Sequence, residues 1–594
     1  MAELERRIVN RWIPWLFVLS LPLWGLSNAI ANFVAQAKTS TSSTSQVREE
    51  SKTEPESQNR KRGKTHTHRE IASGGENGSD TAAPLDPESS EKPKRDSKPA
   101  SSSTKLFTPS QLGTMSVEEL LAMAQRRRTQ FLADLTKFAK NCRQAGFTKL
   151  ANRVDDWIEP VDSGEIRIPI LPSQTQTMTL TAEEQLLSDK EQKAIRWYYT
   201  LRVRYAADLM QIARSALRKG EPTLAITLVF AAIRENPDDA RLRRITGKQA
   251  YQGTWRTAWE VEQLHEGKTD HPKFGWIARS HVERYEAGQR FENRKWLSRE
   301  EDAAIHSTME HGRFIESEHY RLRTSTSLEE GVALLRQLEI LHGVWSQIFI
   351  GFSRTTPEIE ALFDGRGKLS GVRDRRVMQV ALFADKADYV QTLQPMEPRI
   401  EESCGLYHSG TRHAYFFRGG GDDPVTIYHE ATHQLFAERM RTARNDSRSG
   451  YFWMVESIAC YFETLHESNG FWRLGGTDTP RLLVARLRLL EDHFYVPLRD
   501  LSSLNADQFQ SQSPKLVPML YTESAGLAQF FFHAEDGIFR EAFVTTLYHV
   551  YSGTDHPDIL PQAAGCTFEQ LDEAYRQYIQ SLGVPAGLRI QQSP

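Results

Sequence analysis

The chain has 594 residues, too many for one small core, and a prior of roughly 150 residues per domain suggests about two to four units. Its 74 Lys+Arg against 77 Asp+Glu leave a formal net charge of −3, so the large basic field that non-specific nucleic-acid binding requires is lacking and nucleic acid is not an expected partner. The four cysteines, Cys142, Cys404, Cys460 and Cys566, have neither zinc-ribbon spacing nor disulfide-scaffold density and decide little.

Residues 1–37 begin with Arg6, Arg7 and Arg11 and continue into the apolar run from Trp12 to about Ala37, the pattern of a secretory leader. Export to the periplasm, the cell surface or the extracellular space is expected, with residues 12–35 as a membrane tether if the leader is retained. An exported chain can hold one or two disulfides, although the spacing does not select a pairing. Residues 38–105 contain no Phe, Trp or Tyr and cannot bury enough apolar surface to offset chain entropy, which predicts a disordered linker.

From 106 to 305 the sequence predicts a mainly helical domain. Ser116 is placed to cap a first helix, and Glu191–Lys219 forms a second that ends at Gly220. The following run, from Leu224 to Arg234, completes a pair that looks like one tetratricopeptide-type hairpin, but one unit is not a solenoid and an ordinary helical hairpin is the favoured reading. Between Tyr251 and Ile305 periodicity is poor, and short strands and turns are expected with Trp255, Trp259, Trp276 and Trp296 as packing anchors.

From 306 to 585 strands and helices mix. Glu318–Thr324 reads as a half-exposed strand, Ser327 and Glu330 as a capping box opening a long helix to Ile348, and Val377–Phe383 as a buried strand. A short helix follows near Lys386–Leu393, then a strand at His413–Arg418. Gly419–Gly421 breaks that strand, while Asp423 and Pro424 mark the start of a helix. Residues 586–594 form a flexible tail.

That helix carries His429-Glu430-Ala431-Thr432-His433. Two histidines four residues apart lie one above the other on a helix, so both can reach one metal ion. A catalytic zinc takes three protein ligands and leaves a position for water. Glu456, surrounded by Trp453, Val455, Ile458 and Ala459, is the expected third, because an unpaired carboxylate in such surroundings is costly. Glu430 would not ligate but would move the proton of the attacking water. Glu463, two turns beyond Glu456, is a candidate hydrogen-bond acceptor for a ligand histidine, with a solvated salt bridge as its other reading.

Residues 316–578, and most of all Ile427–Glu463, resemble the gluzincin clan of metallopeptidases, in particular uncharacterised exported bacterial proteins with a His-Glu-x-x-His helix followed by a Trp-x-x-Glu helix. The resemblance implies an α+β, zincin-like catalytic domain with one Zn2+ per chain on His429, His433 and Glu456, and a peptide or protein substrate. It places His413–Arg418 at the cleft-lining edge of the sheet. It also implies a Tyr or His that stabilises the oxyanion: Tyr521, in a Tyr-x-x-Ser helix, with His533 as the runner-up. Ser457 stands where the family usually has Gly. Cys460 stands where some members place an aspartate that orients a zinc histidine. The expected function is therefore an exported zinc metallopeptidase. The alternative is a non-catalytic scaffold whose helical domain binds an unidentified protein partner and whose zincin-like domain is structural or degenerate.

Overall fold

The computed structural model describes residues 115–158, 164–175, 178–366, 377–421, 423–439 and 450–584. The leader, the linker and the tail expected from the sequence lie outside these residues. Among the described residues no helix is long and apolar enough to cross a membrane.

The N-terminal part opens with α1 (Val117–Gln144), capped reciprocally by Ser116 and Glu119, and α2 (Thr148–Trp157). Strand β1 (Glu165–Pro169) precedes the hairpin of α3 (Asp189–Arg218) and α4 (Pro222–Glu235). Proline at the first turn of α4 costs no hydrogen bond, because that amide has no partner within the helix.

Residues 249–305 are a threefold repeat, an order that the sequence reading did not detect. Three hairpins are each followed by a short helix: β2 (Gln249–Tyr251), β3 (Thr254–Arg256) and α5 (Ala258–His265); β4 (Lys268–His271), β5 (Gly275–Ala278) and α6 (Val282–Glu286); β6 (Arg290–Glu292), β7 (Lys295–Leu297) and α7 (Arg299–Ile305). The second strand of each carries a tryptophan, Trp255, Trp276 or Trp296. The first and third turns, Gln252-Gly253 and Asn293-Arg294, have positive φ at both residues, the twist that a two-residue hairpin needs. A lone two-stranded hairpin is marginal in water, so the aromatic side chains supply the missing packing. Trp276 meets Trp259 edge-on, and Trp296 packs against Phe291 and Tyr285.

The central sheet is built from β8 (Arg313–Glu316), β9 (Tyr320–Thr324), β10 (Met378–Phe383), β11 (Leu406–His408) and β12 (His413–Phe417), in the order β11-β12-β10-β9-β8. β10 runs parallel to β9 and β12, and the two outer strands are antiparallel to their neighbours. Strand periodicity divides its side chains. Met378, Val380, Leu382, Ala414 and Phe416 join the main core with α8 (Leu328–Ile348), whereas Ala381, Phe383, Tyr415 and Phe417 pack under α9 (Lys386–Leu393). β12 is thus an interior strand, which corrects the expectation that it forms the edge. The edge is β11, whose three residues are too few to show an alternating pattern.

After β12 come α10 (Pro424–Arg439) and α11 (Phe452–Phe462). β13 (His466–Ser468) and β14 (Phe471–Gly475) lead to α12 (Pro480–Leu490), α13 (Leu516–His533), α14 (Arg540–Ser552) and α15 (Phe568–Leu582). β1 pairs antiparallel with β14, so a strand from the N-terminal part completes a sheet of the C-terminal part. The whole is α+β.

Candidate metal centre

Asp423 starts α10: its Oδ1 accepts from the amides of Val425 and Thr426, and its Oδ2 from the Thr426 hydroxyl. His429 and His433 therefore lie one to two turns and two to three turns into a regular helix. Their Nε2 atoms face each other at 3.2 Å. α11 is held across from them by Trp453, whose indole donates to the Ser502 hydroxyl, and by a sharp entry at Gly450 (φ 148°), where a Cβ would strike the Ser502 carbonyl. This helix brings Glu456 Oε2 to 3.6 Å from His429 Nε2 and 3.7 Å from His433 Nε2. The three side chains are 4%, 5% and 2% exposed, and Glu456 Oε2 has no hydrogen-bond partner. A buried carboxylate oxygen without a hydrogen bond is costly, and a cation between the three donors would satisfy it more fully than the facing imidazoles do. Two neutral nitrogens and one carboxylate oxygen suit a zinc-like ion, so the residues present fit the group that the sequence implies.

Electrostatics separates the two histidines. Burial lowers the pKa of His433 to about 4, so its imidazole is neutral and ready to ligate. Burial acts the same way on His429, but Cys460, the facing Glu456 carboxylate and the hydrogen bond with Glu463 outweigh it and raise the pKa well above the ordinary value. His429 Nδ1 faces Glu463 Oε1 at 2.7 Å. An ionised carboxylate can only accept, so Nδ1 carries the hydrogen and Nε2 is turned toward the centre.

Glu463 is itself gripped by Arg481, at the start of α12, through Nε to Oε2 (2.6 Å) and Nη2 to Oε1 (2.8 Å). Burial would raise the pKa of this carboxyl, yet Arg481 and His429 hold it down at about 2. The alternative of a solvated salt bridge is thereby replaced by a buried one. No motif or periodicity marks Arg481, which reaches Glu463 because β13 and β14 fold back. Cys460 also lies against His429, and burial raises its pKa. All four cysteines are unpaired.

Glu430 points to the edge strand: its Oε2 accepts from the Tyr407 amide of β11 at 2.8 Å. Burial raises its pKa to about 7 despite the nearby His429. Gly405 permits this approach, because a Cβ there would crowd Thr426 and the Glu430 side chain.

Of the expected oxyanion donors, Tyr521 lies on α13, within electrostatic reach of Glu456, and its hydroxyl accepts from Gln510 Nε2 at 3.0 Å. His533 is committed elsewhere: its Nε2 is 2.7 Å from the Tyr461 hydroxyl. Tyr551 on α14 was not singled out by the sequence. Its ring stacks on Phe436, one turn past His433, and its buried hydroxyl has no partner. Burial raises its pKa, and the proximity of Glu456 and Tyr407 adds to that rise.

No known protein family matches the chain, and no curated protein is significantly similar to it.

Proposed function

We propose that the chain is a zinc-dependent hydrolase of gluzincin type that cleaves peptide bonds and is exported. The observation that carries this reading is the convergence of His429, His433 and the unpartnered oxygen of Glu456, with Glu430 one residue from the first ligand. Zinc held by these three side chains would supply Lewis acidity, which would acidify a water near neutral pH and polarise the scissile carbonyl.

The chain's own residues do the rest. Glu463 and Arg481 fix the tautomer and orientation of His429. Glu430 takes a proton from the attacking water and returns it to the leaving amine; its raised pKa, about 7, suits an acid-base group that must do both. The Tyr407 amide holds one oxygen of Glu430, so the carboxylate is oriented before substrate arrives. A phenol hydroxyl, from Tyr551 or Tyr521, donates to the developing oxyanion.

The test is to count zinc and to assay Glu430→Gln against a peptide library. The variant is expected to keep one zinc at this centre and to lose hydrolysis by at least about a hundredfold, the usual contribution of a general base. A wild-type protein that holds zinc here and cuts no peptide would instead support the scaffold reading. Failure to hold zinc at neutral pH would remove the metal site altogether.

A further inference from the structure

A second cluster of ligand-type side chains lies away from this centre. His319 closes the turn between β8 and β9, and Glu339 and His342 sit three residues apart on α8, on one face of the helix. One donor atom from each lies within 4.8 Å of the other two. The carboxylate is fixed in place: Glu339 Oε1 accepts from the Ser317 hydroxyl (2.6 Å) and the His319 amide (2.7 Å), while Oε2 is 2.7 Å from His319 Nδ1.

His342 is the unusual member. Its ring stacks on His319 with centroids 3.6 Å apart and contacts Tyr320 and Trp345, yet neither ring nitrogen makes a hydrogen bond. Burial lowers its pKa well below the ordinary value, aided by His319 and Arg439, so the ring is neutral. The carboxylates of Glu318 and Glu438 and the cations Lys248 and Arg439 act on residues of the same neighbourhood. A half-buried imidazole with no hydrogen bond among the described residues, beside a second imidazole and a carboxylate already held by a hydroxyl and an amide, forms a donor set of the kind a transition-metal ion takes.

We infer that His319, Glu339 and His342 bind a divalent transition-metal ion, with zinc as the expected occupant, and that this ion ties β9 to α8. Two imidazole nitrogens select zinc and its neighbours over calcium or magnesium, which prefer all-oxygen sites. Because the stacked rings do not aim both lone pairs at one point, binding turns the His342 ring about its side-chain bonds. No hydrogen bond resists that turn. The His319 hydrogen passes from Nδ1 to Nε2 by exchange with solvent as the ion takes its place next to Glu339 Oε2. The His319 carbonyl accepts from the Met378 amide at the start of β10, so the ion braces the parallel pair at the centre of the sheet as well as the helix. The role is structural, and the inference stands independently of the proposed hydrolase activity.

Metal counting on the full chain tests it, after stripping with chelator and dialysis against Zn2+ at neutral pH. Two equivalents are expected in the wild type, one in His342→Gln, and one in the double variant His429→Ala/His433→Ala. Glu339→Gln repeats the count if His342→Gln does not fold. With Co2+ in the double variant, visible bands of a nitrogen- and oxygen-ligated ion are expected, and adding His342→Gln should abolish them. The inference is overturned if the His342 and Glu339 variants bind as much metal as the wild type, or if the wild type holds a single equivalent that the double variant loses. A double variant that keeps the full wild-type count would instead sink the hydrolase centre.

Discussion

Glu456 and Glu463 show how little separates the proposed ligand from its support. Seven residues apart, within α11 and at its C-terminal cap, they are chemically identical, but both oxygens of Glu463 are occupied by His429 and Arg481, whereas Glu456 Oε2 has no hydrogen bond among the described residues. Glu456→Ala is therefore expected to empty the centre. Glu463→Ala should leave all three ligands in place and weaken zinc binding by roughly 10–100-fold, the usual cost of losing a partner that orients a ligand. Zinc titration with a competing chelator measures both, and the reverse order would mean that Glu463 is the ligand. The sign of the pH dependence follows from His429. In the metal-free protein its pKa lies well above the ordinary value, so it must shed a proton to ligate, and zinc affinity should fall as pH falls.

At the scale of elements, the site depends on which helix delivers a hydroxyl. α13 carries Tyr521, whose oxygen accepts from Gln510; α14 carries Tyr551, held by its stack on Phe436 with a free hydroxyl. A donor with no competing partner is better prepared for a charge that exists only in the transition state. Tyr551→Phe is expected to lower kcat by about 10–1000-fold with little change in KM, and Tyr521→Phe to lower it less, in steady-state assays of the zinc-loaded enzyme. Equal losses would assign no preference to α14. The starts of α1, α8 and α10 were legible because Ser116, Ser327 and Asp423 each place an acceptor at the right offset from the first turn. β11 was missed because three residues hold no period, and the threefold repeat because the turn between β4 and β5 is longer than the other two.

Across the whole molecule, residues on both sides of position 305 share one core. Ile166, Ile168, Phe274 and Tyr285 pack in the same cluster as Leu338, Phe436 and Trp453, and the described residues belong to one compact unit. The Thr223 hydroxyl donates to the Ile348 carbonyl, and its amide donates to Glu541. A fragment spanning 306–594 would lose β1 from β14 and uncover this core. It is expected to aggregate or to melt at a lower temperature than the full chain, as size-exclusion chromatography and thermal denaturation would show; a fragment as stable as the full chain would contradict a shared core. The sequence by itself determined the helix carrying His429, Glu430 and His433 and its cap, because those signals are local or repeat with the period of a helix. Only the tertiary structure decided that Arg481 grips Glu463, that the Tyr407 amide meets Glu430, that His533 is taken up by Tyr461 while the Tyr551 hydroxyl has no partner among the described residues, and that His319 reaches Glu339 and His342. Each of these contacts joins separate elements, and their meeting is set by packing, which leaves no periodic trace along the chain.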